Sequence, residues 1–265
     1  MPAPSPEPDH APPGEVVPAA ITPEHAEDPE SLLASAELVP VGYLANASNS
    51  TLYCEVGGAD SGVAAVYKPL AGERPLWDFP SGTLGRREVA ARVVSEFLGW
   101  SLVPPTMLRD GPLGEGSVQL FVPHDPRLHY FVLVEERRYH PELALMVLFD
   151  LLINNTDRKG SHVLLGEEDG RLHGIDHGVT FHPQPKLRTV IWDLGGRRVE
   201  AGARADLTRL AEALGSDGSA VRAELCELLS EREVDVTGAR GEALCTIKAL
   251  PKVPEDHRPY PWPPL

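Results

Sequence analysis

Two short apolar runs, each leading into a polar loop that carries an aspartate, constrain the fold of this 265-residue chain most strongly. The first is the run 143–153, which has a helix-like pattern and gives way to a loop containing Asp157. The second is the strand-like step 173–175, which is followed at once by Asp176. A loop after a helix and a loop after a strand can place two carboxylates at one site, where they can hold a cation or orient a hydroxyl.

Two charged residues upstream complete a set suited to phosphate chemistry. Lys68 stands late in a predicted strand, and Glu88 stands early on a helix that the apolar spacing predicts over 86–98. Phosphoryl transfer needs a cation on the phosphates, a carboxylate that holds a divalent metal, and a group that orients the acceptor hydroxyl. Glu96 is the alternative partner for the lysine, and a solvent-exposed strand lysine is the alternative reading of Lys68.

Five motifs carry a resemblance to a known family over residues 40–185. The chain resembles the phosphatidylinositol 3-/4-kinase group, and is most similar to the type II phosphatidylinositol 4-kinases and the actinobacterial proteins named after them. Each motif alone is a weak signal, but their order and spacing are specific. The motifs are Val66-Tyr67-Lys68-Pro69, Glu88-Val89-Ala90-Ala91, Leu102-Val103-Pro104-Pro105-Thr106, Asn155-Thr156-Asp157-Arg158 and Ile175-Asp176-His177-Gly178.

The resemblance implies an α+β, two-lobed fold like that of protein kinases, with ATP and Mg²⁺ between the lobes. The small β-rich N-lobe is expected over 31–123 and the larger, mostly helical C-lobe over 124–250. The segments 1–30 and 251–265 are rich in proline. Since such composition cannot bury enough apolar surface to offset the ordering entropy, 1–30 is predicted to be disordered and 251–265 to be a tail.

The resemblance also implies a role for each site residue. Asp157 and Arg158 are the expected catalytic pair, and Asp176 is the expected metal ligand. Lys68, held by Glu88, is expected to contact the ATP phosphates. The remaining nucleotide contacts are expected from a phosphate loop and from a hinge whose backbone meets adenine, which are represented by Ser48, Ser50, Gln119 and Phe121.

Two departures from the family pattern favour an alternative function. His162 occupies the position of a metal-binding asparagine, and a neutral imidazole is a poor ligand for Mg²⁺. As a metal ligand, His162 would suit Mn²⁺ better. The phosphate loop 46–51 contains no glycine, so its backbone approaches phosphate less closely. The alternative is a pseudokinase that binds nucleotide with little turnover, and a third reading makes the aspartates purely structural.

Composition limits the partners. The chain has 24 Lys and Arg against 39 Asp and Glu, a formal charge of −15 that opposes non-specific binding to nucleic acid or anionic lipid. No apolar run is long enough for stable insertion in a bilayer, and the N-terminus does not resemble a signal peptide. Three scattered cysteines favour a reducing cytoplasm. The expected acceptor is therefore a hydroxyl of a soluble small molecule or a protein.

Overall fold

A six-stranded sheet forms the N-terminal lobe in the computed structural model, which describes residues 28–44, 51–255 and 258–265 and the backbone of 15–16. The strand order is β1-β2-β3-β4-β6-β5, and every neighbouring pair except β1 with β2 is antiparallel. The strands are β1 (Glu15–Val16), β2 (Leu38–Leu44), β3 (Leu52–Val56), β4 (Ala64–Pro69), β5 (Thr106–Gly111) and β6 (Gly114–Leu120).

The hairpin of β3 and β4 confirms the strand prediction and orients Lys68. Because side chains alternate along a strand, Tyr67 and Lys68 point to opposite faces of the sheet. Tyr67 is buried in an apolar cluster with Leu33 of helix α1 (Pro29–Ser35). Lys68 therefore points away from this cluster, toward the second helix of the lobe.

That helix, α2 (Leu84–Leu98), confirms the helix predicted over 86–98. Its apolar residues at helical spacing, Ala91, Val94 and Leu98, are buried in the main core. Gly99 ends the helix in the left-handed conformation at φ 73°, which glycine adopts without steric cost. With one face in the core, the helix presents Glu88 to the sheet residue Lys68.

The C-terminal lobe is mostly helical, so the α+β, two-lobed fold predicted for the chain is confirmed. Its central helix α4 is buried on nearly all sides, and a two-stranded ladder of β7 and β8 lies after it. No helix in the described ranges is long and apolar enough to cross a membrane. The elements are α3 (Tyr130–Leu133), α4 (His140–Ile153), β7 (Val163–Leu165), β8 (Leu172–Gly174), α5 (Ala201–Leu214), α6 (Ala220–Leu228) and α7 (Glu231–Cys245).

The ends of the chain lie partly outside the described residues. Of the segment 1–30, residues 1–14 and 17–27 are not described, whereas 15–16 pair with β2 and α1 begins at Pro29. The tail that was predicted from proline content packs on the C-lobe over 258–265. There the Pro264 carbonyl accepts a hydrogen bond from the Gly160 amide at 2.8 Å, next to the loop of Asp157. The lobe boundaries at 31, 123 and 250 stay predictions.

Helix α7, which was not predicted from the sequence, connects the C-lobe to helix α2 of the N-lobe. Its Glu233 accepts hydrogen bonds from the backbone and the hydroxyl of Ser230 and caps the helix. The other oxygen of the same carboxylate lies 2.6 Å from Arg87 of α2, and both side chains are buried. Arg87 also donates to the Thr180 carbonyl at 2.7 Å, so α2 is held against the C-lobe.

The Arg87–Glu233 pair predicts acid-sensitive stability. Burial raises the pKa of Glu233, but the hydrogen bonds from Ser230 and Arg87 outweigh it, and the net pKa is lowered from its ordinary value. A carboxyl with a depressed folded-state pKa stabilises fully above the unfolded-state pKa and loses its contribution as the pH falls through the folded-state value. We expect Glu233→Gln to lower the free energy of unfolding by about 1–3 kcal/mol at neutral pH.

The difference between wild type and Glu233→Gln should shrink as the pH falls below the ordinary glutamate pKa of about 4.3 and through the lower folded-state value. Urea unfolding between about pH 3 and pH 7 measures it. Glu231→Gln is the control, because Glu231 lies in the first turn of the same helix but is exposed. A difference that stays constant with pH, or that equals the difference for the control, would contradict the assignment.

Candidate active site

Lys68 connects the two lobes through two carboxylates. Its Nζ lies 2.7 Å from Glu88 Oε1 on α2 and 2.5 Å from Asp176 Oδ1, after β8. Burial lowers the pKa of Lys68, but Asp176 and Glu88 outweigh it and the net pKa is raised, so the ammonium form is favoured. The third reading, in which the aspartates are purely structural, would be favoured by a Lys68–Asp176 separation of more than about 10 Å; the two residues are in contact, so the structure does not favour it.

The structure also decides between the two candidate partners of Lys68. The second oxygen of Glu88, Oε2, accepts the backbone N–H of His177 at 2.8 Å, so this carboxylate holds both the lysine and the loop after Asp176. Glu96 instead forms an ion pair with Arg92 one turn earlier on α2. Glu88, which stands early on the helix, is the residue that reaches the site.

Asp176 is held with its carboxylate ionised. It has a positive φ of 59°, a conformation that few residues other than glycine, asparagine and aspartate adopt readily. Burial raises the pKa of Asp176, but the positive charge of Lys68 outweighs it and holds the pKa below its usual range. The backbone turn therefore delivers a charged carboxylate to the cleft between the lobes.

His162 lies beside Asp176, with its imidazole directed at the carboxylate. Burial lowers the pKa of His162 to about 4, so the imidazole is neutral near pH 7. Its Nδ1 faces the Lys159 amide at 3.5 Å and its Nε2 faces Asp176 Oδ2 at 3.1 Å. We assign the proton to Nε2 because the amide can only donate and the carboxylate can only accept. In this tautomer His162 donates to Asp176 Oδ2, and its assignment as a metal ligand stays a prediction.

The remaining donors fit a metal that is held mainly by its substrate. Among the described residues there is no group of three or more His, Cys, Asp or Glu side chains placed to hold a metal ion. Mg²⁺ commonly binds through one or two carboxylates and completes its shell with phosphate oxygens and water. Asp176 can supply such a carboxylate, so the site fits one ion that arrives with a phosphate ligand.

Asp157 is fixed by the loop that follows α4. Asn154 ends the helix in the left-handed conformation at φ 52°. Asn155 then accepts the Asp157 amide at 3.0 Å and donates to Asp150 at 2.9 Å. Desolvation raises the pKa of Asp157, although Lys159, 3.3 Å away, opposes the rise. The carboxylate is thus held at the cleft and is more basic than an ordinary aspartate.

Arg158 supports this loop from below, which corrects its assignment as a catalytic residue. It is fully buried, and its guanidinium is bonded to both oxygens of Asp150, to the His162 and Ile175 carbonyls and to His177 Nε2. A guanidinium has five N–H donors, and these contacts engage all three of its nitrogens. No part of Arg158 therefore faces a substrate, and the residue positions the loops of Asp157 and Asp176.

The nucleotide contacts predicted from the hinge and the phosphate loop are only partly described. Gln119 is buried, and its side chain donates to Thr106 at 2.8 Å within the sheet. The Phe121 amide donates to the Ala64 carbonyl at 2.9 Å, so this amide is already bonded within the sheet. Ser48 and Ser50 lie outside the described residues, and their assignment stays a prediction.

Two residues of the site were missed from the sequence. Asp150 is fully buried in α4 and paired with Arg158. The available signal was a single charged residue inside the otherwise apolar run 143–153. Since an unpaired charge is almost never buried, this position indicates a buried partner of opposite charge. Lys159 was missed because no motif or spacing in the sequence assigns it a role. Its contact with Asp157 depends on the conformation of the folded loop.

Comparisons with known proteins agree with the motifs around Asp157 and Asp176. Residues 95–196 match the model of the family described as phosphatidylinositol 3- and 4-kinase. The Mycobacterium tuberculosis protein Rv2133c is 38% identical over 270 residues, which cover 89% of this chain and 95% of that protein. The crystal structure of a Helicobacter pylori proinflammatory kinase, CtkA, is 13% identical with a TM-score of 0.42, over 79% of this chain and 97% of that chain.

Proposed function

Since the chain belongs to the family of Rv2133c and contains a phosphatidylinositol 3- and 4-kinase domain, we propose that it transfers the γ-phosphate of ATP to a hydroxyl acceptor. The observation that carries the proposal is the continuous contact Glu88–Lys68–Asp176 across the two lobes. This contact brings one cation and one ionised carboxylate, from different lobes, to the same point of the cleft, which supports binding of a metal-associated triphosphate there.

Each residue has a separate task in this proposal. Lys68 binds phosphate oxygens, and Glu88 keeps its ammonium in place. Asp176 holds the divalent cation, Mg²⁺ or Mn²⁺, which supplies charge neutralisation on the phosphates when it is bound. Asp157 orients the acceptor hydroxyl and accepts its proton, a task that its raised pKa favours. The acceptor is a hydroxyl of a small molecule or a protein.

The second candidate function is that of a pseudokinase, and His162 is the observation that favours it. Where the family pattern provides a metal-binding amide oxygen, this chain directs an imidazole N–H at Asp176. A site with one metal can bind nucleotide yet turn it over slowly. Cys54, Cys226 and Cys245 are all unpaired, which supports the cytoplasm as the compartment for either function.

Nucleotide binding is the first test. We expect ATP with Mg²⁺ or Mn²⁺ to raise the melting temperature, because a ligand at about 100 times its Kd stabilises the folded state by about 2.7 kcal/mol. Lys68→Met should lose most of this shift, measured against its own melting temperature without nucleotide. Lys252→Met is the control, because Lys252 is exposed and its replacement removes the same charge from the protein.

Turnover separates the two functions. ADP formation by the wild-type protein, with candidate acceptors and with water, supports phosphotransfer. A thermal shift without ADP formation supports the pseudokinase. If ATP shifts neither the wild-type protein nor Lys252→Met, in the presence or absence of metal, both functions are excluded.

A further inference from the structure

We propose that the C-terminal segment 258–265 positions the catalytic loop (residues 155–162) and thereby sets the rate of phosphotransfer. The inference rests on the proposed function, because this loop carries Asp157. It assigns a role to residues that belong to none of the five motifs and that lie beyond the region 95–196 matched by the kinase family model. All the contacts that support it join residues that the structure describes.

The catalytic loop is bonded first to a second segment, 188–190, which runs parallel to it. The Arg158 amide donates to the Arg188 carbonyl at 3.0 Å, and the Val190 amide donates to the Arg158 carbonyl at 3.1 Å. Because consecutive amides of an extended segment point to opposite sides, the Thr189 amide between them points away from the catalytic loop. The segment 188–190 therefore has an outer edge that needs its own partner.

The C-terminal segment supplies that partner and also reaches the catalytic loop itself. The Thr189 amide donates to the Pro259 carbonyl at 3.0 Å, and the indole N–H of Trp192 donates to the same oxygen at 3.2 Å. Thr189 is buried, so this carbonyl satisfies a backbone donor that has little access to water. Further along, the Pro264 carbonyl accepts the Gly160 amide at 2.8 Å. The C-terminal segment is thus bonded both to the catalytic loop and to the segment that supports it.

Side-chain packing reinforces the contact at Gly160. A Cβ at this position would lie 2.8 Å from a ring carbon of Phe131 and 3.2 Å from Leu265 Cδ1, so glycine fits between the two where a larger residue would crowd them. Gly160 follows Asp157 closely in the chain, and a shift of its backbone would therefore displace the carboxylate. A displacement of about 1 Å at a catalytic group can lower the rate by about 100-fold.

The proline content suits a rigid support. Pro259, Pro261, Pro263 and Pro264 lie in the segment, and Pro261 is buried against the C-lobe. A proline offers a carbonyl acceptor and has no N–H that would need a partner. Its fixed φ also limits the conformations of the undocked segment, so docking costs less entropy. The composition that predicted a tail therefore also favours a segment that binds in one conformation.

The competing explanation is that the segment only stabilises the C-lobe. The two roles differ in kinetics, because Lys68 is held by Glu88 and Asp176 and nucleotide binding should survive loss of the segment. We expect deletion of 258–265 to lower kcat for ADP formation about tenfold or more and to leave KM for ATP within about twofold. Hydrogen exchange should become faster in the catalytic loop and stay unchanged in β4.

Rescue and point variants sharpen the test. A synthetic peptide of residues 251–265 should restore kcat of the deletion variant saturably, and a scrambled peptide of the same composition should not. In the undeleted chain, Leu265→Asp should also lower kcat, whereas Leu265→Met should retain most of the rate because it conserves volume. Leu113→Asp is the matched control, because Leu113 is a comparably exposed leucine in the turn between β5 and β6.

The outcomes separate the inference from the proposed function. Unchanged kcat in the deletion variant and in Leu265→Asp, even with faster exchange, would overturn the inference and leave the proposed function standing. An equal loss of rate in Leu113→Asp would assign the effect to the added charge and also overturn it. If the deletion variant does not fold, the kcat and KM of Leu265→Asp decide. Absence of ADP formation by the wild-type protein would overturn both phosphotransfer and the inference.

Discussion

Replacement of Asp176 by asparagine is expected to lower the rate of ATP turnover by about 100- to 1000-fold with little change in the fold. This is the size of effect seen when one fixed electrostatic group is removed from an active site. Asparagine is the informative substitution because Asp176 has φ 59°, and asparagine tolerates this left-handed conformation as well as aspartate does. An alanine there would add backbone strain to the loss of charge.

The loss follows from two contacts. Asp176 is the carboxylate proposed to hold the divalent cation, and it also fixes Lys68 at 2.5 Å. The amide of asparagine keeps one oxygen but no charge, so it binds a cation weakly and no longer neutralises the lysine. Glu88 still forms its ion pair with Lys68 at 2.7 Å in the variant and keeps the lysine in place. A lower turnover rate would therefore reflect the lost carboxylate and not an unfolded protein.

ADP formation under saturating ATP measures the effect, and circular dichroism with the melting temperature reports the fold. Asp60→Asn is the matched control, because Asp60 is an exposed aspartate in the turn between β3 and β4. Equal rates for Asp176→Asn and wild type would exclude the proposed role of Asp176. Equal losses in Asp60→Asn would show that net charge and not the site determines the rate.

The residues that contact ATP in the proposal could be predicted because their signals are local. Lys68 and Glu88 are positioned by the alternation of a strand and the spacing of a helix, both visible within about ten residues. Asp157 and Asp176 follow apolar runs whose ends are also readable in the sequence. The contact Lys68–Glu88 then followed from the order of the elements and the family resemblance, and the structure contains it. The direct contact Lys68–Asp176 was not predicted, because the resemblance assigned Asp176 to a metal ion.

The residues beneath the site could not be predicted in the same way, because their partners are distant in sequence or depend on a hydrogen-bond network. Arg87 finds Glu233 at a separation of 146 residues, on a helix whose capping box was the available local signal. The proton on His162 is fixed by one backbone amide and one carboxylate that meet only in the folded chain. Sequence spacing identifies the residue types here but not which atom donates.

Arg158 illustrates the consequence of this limit. Its place beside Asp157 in the motif suggested catalysis, whereas its side chain turns inward from the loop and pairs with a helix residue eight positions earlier. Adjacent residues in a loop commonly direct their side chains to opposite sides. A shift of one sequence position therefore determines whether a side chain faces the substrate or the protein core. The stability of the loop is therefore a separate question from its chemistry.

Removal of the partner of Arg158 is expected to destabilise the protein more than any other single substitution considered. Asp150→Ala should lower the free energy of unfolding by about 3–5 kcal/mol, since it leaves a fully buried guanidinium without its counter-charge. Asp150 also accepts from Asn155 and Thr189, so three residues, with Arg158, lose a hydrogen bond at once. Urea unfolding at neutral pH, with the slope compared between variants, measures the loss.

Two control variants distinguish whether the lost charge or the lost packing causes the destabilisation in Asp150→Ala. Asp217→Ala removes an aspartate that is fully exposed, and it should change the free energy of unfolding by less than about 0.5 kcal/mol. Combining Asp150→Leu with Arg158→Met removes both charges and should recover part of the stability lost in Asp150→Ala, because an apolar pair needs no counter-charge. If the double variant is less stable than Asp150→Ala, the hydrogen bonds of Arg158 to the His162 and Ile175 carbonyls outweigh the ion pair. In that case the loops of Asp157 and Asp176 depend on the guanidinium itself, and its counter-charge is secondary.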